Sequence, residues 1–209
     1  MLKPVFTIIF LLASSACTRV IELNPKFDKQ PIYDPLPLTI AVYKSSEFVN
    51  RIEKRDFFIY PVGKASSKLF DQVLATMFTT VVPTDTKDPK LLSGHPQPAG
   101  IIEIDIMEFF SSVKYMKNSG LIYTGPSYPY TITYSFSITD ASGAPVAKWS
   151  VLGHSSVKQP CPDSTFCTID EVSEYVMLDA MTKFLLDFHT KPEIIHWLSQ
   201  HGIKEGEEK

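Results

Sequence analysis

The stretch TITYSFSIT at residues 131–139 constrains the fold most. Ile132, Tyr134, Phe136 and Ile138 alternate with threonine and serine. Successive side chains of a strand point to opposite faces, so this period of two gives one dry face and one wet face. A strand buried on both sides would read as a continuous apolar run instead. The chain therefore contains an antiparallel sheet covered on one side only, and it must supply the cover. Two amphipathic segments do so. In SSKLFDQVLATMF (66–78), Leu69, Phe70, Val73, Leu74, Met77 and Phe78 recur at three- and four-residue spacing, with Ser66 or Ser67 placed to cap the helix. In the second, Thr168 and Glu171 form a capping box, and Ile169, Val172, Val176, Ala180, Phe184 and Phe188 form the stripe. Pro192 breaks that helix, and 193–201 predicts a further short one.

Other strands follow from the same pattern. LTIAVY (38–43) reads as a half-buried strand, DFFIYPV (56–62) as a short one stopped by Pro61 and Gly63, and TTVV (79–82) as another. Pro83, Pro89, Gly94, Pro96 and Pro98 then mark a loop. Ile102, Ile104 and Ile106 alternate with Glu103 and Asp105. TDASGAP turns the chain around Asp140 and Gly143, and residues 146–152 return with Ala147, Trp149 and Val151 on one face, which makes a hairpin. The order predicts an α+β fold, a mainly antiparallel or mixed sheet with two main helices packed on one face. With 44% apolar residues the core is ample. Residues 38–203 read as a single α+β domain and 204–209 as a disordered tail.

The first sixteen residues read as a signal peptide: Lys3, the apolar run VFTIIFLL (5–12), then small residues 13–16. The run is too short to span a bilayer, which takes about 20 apolar residues. It ends at Cys17, and this junction resembles the lipobox of bacterial lipoproteins, in which the cysteine is acylated and becomes the first residue of the mature chain. Ser14 stands where that pattern prefers leucine. An ordinary cleaved signal with an incidental cysteine is the rival reading. Residues 17–37 follow as a lipidated cysteine and a tether. Prolines 25, 31, 35 and 37 predict an extended, semi-rigid spacer holding the domain off the membrane. The resemblance to lipoproteins implies palmitate and other acyl chains at Cys17. Thr18 stands where aspartate would retain a lipoprotein in the inner membrane, which implies the outer membrane of a Gram-negative cell, periplasmic face.

Cys161 and Cys167 bracket CPDSTFC, a short loop suited to a disulfide in an oxidising compartment. A metal site would need two more ligands, and His154 is the nearby histidine.

LTIAVY, then YPVG opening SSKLFDQVLATMFTTVV, then IIEIDIMEF and ITDASGAPVAKWSV, all behind a lipobox-like cysteine, resemble a broad group of envelope lipoproteins. The element order is similar to that of the YajG-like lipoproteins and the amino-terminal domain of TolB, and more distantly to curli-secretion and lipopolysaccharide-assembly lipoproteins. The resemblance spans residues 36–190, is one of pattern, and transfers no site residue. It implies an accessory or assembly protein of the envelope.

Recognisable chemistry is sparse. Gly63-Lys64 in PVGKASS lacks the phosphate-loop pattern, since Phe58 and Ala65 occupy two of its required positions. His196 and His201 are five apart and fall on different helix faces. His154-Ser155 has no G-x-S-x-G elbow around it. Glu103 and Asp105 share a strand face, where carboxylates are ordinarily solvated. The chain predicts no enzyme, no cofactor and no metal. A formal charge of -3, reaching -4 once Lys3 leaves with the signal, and the lack of a basic stripe argue against nucleic acid.

YMKNSGLIYTGPSYPY (115–130) separates two strands. Tyr115, Leu121, Ile122, Tyr123, Tyr128 and Tyr130 are candidates for binding a partner, because large amphipathic side chains in a loop commonly mark contact surfaces. The alternative is that they fold back and close the core. Two functions fit: a membrane-anchored, non-enzymatic interaction module with an envelope protein partner, or a carrier of lipid or another apolar ligand.

Overall fold

Alternation at residues 130–140 builds a strand paired on both sides. The computed structural model describes residues 18–27, 34–55, 58–92, 97–111, 130–155 and 169–203. In chain order the strands are β1 (Arg19–Val20), β2 (Leu36–Tyr43), β3 (Glu53–Arg55), β4 (Phe58–Tyr60), β5 (Phe78–Thr84), β6 (Gly100–Ser111), β7 (Tyr130–Asp140) and β8 (Pro145–His154). The helices are α1 (Ser46–Val49), α2 (Val62–Met77), α3 (Ile169–Thr190) and α4 (Pro192–Gln200). The fold is α+β. The main sheet runs β5-β2-β6-β7-β8, and a smaller one runs β1-β4-β3. The sheet is mixed: β2 is parallel to β5 and β6, while β6, β7 and β8 form an antiparallel meander.

The dry face of β7 does what its pattern predicts. Ile132, Tyr134, Phe136 and Ile138 are buried, and the intervening threonines and serines are half-buried on the other face. The cover is α2 and α3. The ring of Phe136 lies 4.3 Å from Phe184, 5.5 Å from Trp149 and 5.8 Å from Phe70. Offset and tilted rings at such separations add to the stabilisation from burial.

Three expectations are corrected. First, Ile40, Ala41 and Val42 are all buried, so this end of β2 is not half-buried. β2 is an inner strand, and the segment after β5 crosses its outer side: Lys87 sits 5.0 Å over the Tyr43 ring and pairs with Glu103, and Pro89 is buried. Second, the first long helix begins at Val62 behind Pro61, and Ser66 is no cap. Ser66 is an interior position facing the sheet, where its hydroxyl meets the Tyr134 hydroxyl at 2.7 Å. Third, β1, β3 and α1 were not foreseen. Two- to four-residue elements carry too few residues to show a period.

The free edge of β8 is covered by α3. Asp179 accepts the His154 amide at 2.9 Å, and Lys183 donates to the Leu152 carbonyl at 2.9 Å. A Cβ at Gly153 would meet the Val176 carbonyl oxygen at 2.1 Å. Glycine is thus required where helix backbone crosses strand. Covering an edge in this way removes a template for unwanted strand pairing.

Candidate functional site

The segment that follows Cys17 is part of the domain. Arg19 and Val20 pair with Phe58 and Ile59 in parallel, and the Ile21 amide donates to the Ile59 carbonyl at 2.8 Å. Ile21 is 1% exposed, and Leu23 and Phe27 pack against the same core. Further along, the Asn24 amide donates to Glu174 of α3 at 2.5 Å and the Phe27 amide to Gln72 of α2 at 2.8 Å. Lys68 donates to the Asn24 side chain at 2.6 Å. The expected spacer over 17–37 is therefore corrected in its described parts: 18–27 is a docked strap, and Leu36 and Pro37 already belong to β2. An extended backbone suits a docked strand as well as a free linker. Ile21, Leu23 and Phe27 at even spacing were the signal of docking, and the prolines masked it.

The strap adds the first strand of the small sheet. Val20, Ile59 and Lys54 stand in register across β1, β4 and β3. One residue further, Tyr60 and Ile21 turn inward and are buried, so the row of Val20, Ile59 and Lys54 faces out. Val20 is 61% exposed, and Ile52, two residues before Lys54, is 56% exposed. Arg19 and Arg55 stand in register with Phe58 at the end of this sheet, and both are exposed. Arg55 also donates to the Phe109 carbonyl at 3.0 Å, and Arg51 donates to the Ile106 carbonyl, so both arginines tie the small sheet to β6. Glu53 pairs with Arg51 at 2.9 Å and with Arg55 at 3.6 Å.

Cys17, Cys161, Cys167, Tyr115, Leu121, Ile122, Tyr123 and Tyr128 lie outside the described residues. Tyr130 lies within them and is not a surface residue. It is fully buried, its hydroxyl is 3.2 Å from that of Tyr60, and its ring packs 6.4 Å from Phe109. Its position at the start of β7, in register with Ser111, places it on the dry face, so it closes the core.

The weaker candidates have structural explanations. A Cβ at Gly63 would meet the Phe48 carbonyl oxygen at 2.0 Å, so that glycine admits the end of α1 against α2. Glu103 pairs with Lys87, and this hydrogen bond first of all raises the Lys87 ammonium above its ordinary value. Asp105 accepts the Ile106 amide at 2.8 Å. His196 meets Gln200 at 3.1 Å, and His201 packs on the Trp197 ring at 5.3 Å. Burial lowers the pKa of the His189 imidazole. Among the described residues no group of three His, Cys, Asp or Glu could hold a metal ion, and no helix is long and apolar enough to cross a membrane.

No family model matches the sequence, and no curated protein does. Solved structures of similar shape do exist. Protein XCC0632 from Xanthomonas campestris aligns over 81% of this chain and 91% of its own, at 12% identity and a TM-score of 0.42. Protein CT253 from Chlamydia trachomatis aligns over 78% of this chain and 99% of its own, at 8% identity and a TM-score of 0.46. A minor lipoprotein from Acinetobacter baumannii aligns over 72% of this chain and 91% of its own, at 9% identity and a TM-score of 0.36. Likenesses this distant carry no argument about function.

Proposed function

We propose that this protein is a lipid-anchored lipoprotein of the bacterial cell envelope, acting as a non-enzymatic interaction or assembly module. The observation that carries the reading is the charged, apolar and small-residue leader ending at Cys17. It belongs with the YajG-like and TolB-like lipoproteins in element order, on the periplasmic face of the outer membrane. The segment around Tyr115, Tyr123 and Tyr128 meets its envelope partner. The space between sheet and helices favours a module over a carrier of apolar ligands. Phe70, Phe136, Phe184 and Phe188 are fully buried there, with Trp149 stacked 5.8 Å from Phe184, so the rings themselves fill the interior.

The test is acylation. The full chain and Cys17→Ser are expressed in a Gram-negative host fed a labelled fatty acid, and the membranes are fractionated. Label on the wild type alone, in the outer-membrane fraction, is the expected result. Unlabelled, soluble periplasmic protein in both cases overturns the anchor. Photo-crosslinking from positions 115, 123 and 128 in intact cells then identifies the partner.

A further inference from the structure

We infer that the end of the small sheet nearest Cys17, with the apolar side chains of its outer face, rests on the phospholipid surface that holds Cys17. This deepens the anchored reading and rests on it. Chain length supplies the first argument. Cys17 precedes β1 by one residue, Thr18, and the two steps from Cys17 to Arg19 span about 7 Å when extended. Ile21 is already locked in the core. An acyl group at Cys17 thus leaves the domain almost no freedom to rise or turn, and the surface around the start of β1 meets the headgroups.

The chemistry of that surface supplies the second. Val20, Ile59 and Ile52 present exposed or half-exposed apolar side chains beside Lys54. Short apolar groups reach the headgroup–acyl boundary, while lysine and arginine reach anionic headgroups. Lys54 stands on the outer row with Glu22, while Arg19, Arg51 and Arg55 alternate onto the other row, Arg19 and Arg55 being exposed at the sheet end nearest Cys17. Glu53 is already held by two of those arginines. The excess of positive charge lies at that end of the sheet, on a chain whose net charge is -3. Charge complementarity at that end therefore selects an anionic lipid surface over a basic or neutral protein one.

The experiment uses the acylated full chain on vesicles of phosphatidylethanolamine and phosphatidylglycerol. A photoreactive residue replaces Ile52 or, for comparison, Leu186 of α3, which is 43% exposed. Phospholipid adducts several-fold more abundant from position 52 are expected. They should fall on phosphatidylcholine vesicles and in the Arg19→Glu/Lys54→Glu variant, whose unchanged melting temperature shows that it is folded. Equal yields from both positions on acylated protein overturn the inference and leave the anchor standing. Adducts to a second copy of the chain overturn it in favour of self-association. Mass spectrometry showing no acyl group at Cys17 overturns both.

Discussion

Gly63 and His189 show how single residues register their surroundings. Gly63 has no room for a methyl group, because the atom it would strike is the backbone carbonyl of Phe48, 2.0 Å away. Backbone cannot swing aside as a flexible side chain can. Gly63→Ala is expected to destabilise by about 1–3 kcal/mol, the usual cost of overpacking, measured by urea unfolding. His189 is half-buried, and desolvation holds its imidazole below the ordinary value of 6.5. The folded protein thus takes up that proton less readily than the unfolded chain. Stability is complete above about pH 6.5 and falls as pH drops from there toward the folded value. His189→Gln should flatten that part of the slope, seen by comparing urea midpoints at about pH 7.5 and pH 5.5. The Gly63-Lys64 pair was legible as no phosphate loop. Its packing role was not, because the carbonyl it meets lies on another element. Tyr130 was legible as a large amphipathic residue, and only its register against Ser111 shows that it points inward.

Among the elements, the strap at residues 18–27 changes the picture most. Its amides are satisfied by Glu174 and Gln72, side chains from α3 and α2 that no local pattern connects to it. Ile21→Ala should cost about 2–5 kcal/mol if the strap is part of the core, against roughly 0.5 kcal/mol or less for a residue in a solvated linker. Urea unfolding of the Cys17→Ser chain, with and without the change, measures this directly. The long helices were legible from their stripes, and the start of α2 was displaced because a proline set its boundary. Pro61 opens α2 five residues before Ser66, the candidate cap. β7 and β8 were legible almost residue by residue, since each buries one face only.

For the whole molecule, the proposed anchor at Cys17 is tested through the short stretch of chain between it and Ile21, the first locked residue. A flexible Gly/Ser insert of about 20 residues after Cys17 adds roughly 25 Å of reach. The expected outcome is unchanged acylation and unchanged melting, with phospholipid adducts from position 52 falling to the level of position 186. Adducts that persist would show that the face binds lipid without the short tether. The sequence by itself determined the α+β class, the one-sided sheet and its two covering helices. Each of these is a periodic or local signal, set by which side chains tolerate water. The tertiary structure alone decided that β2 lies between two parallel neighbours, that Tyr130 is core, and that the strap is docked. Those outcomes depend on hydrogen bonds and packing between residues far apart in the chain, such as Asn24 with Glu174, whose partners no local pattern specifies.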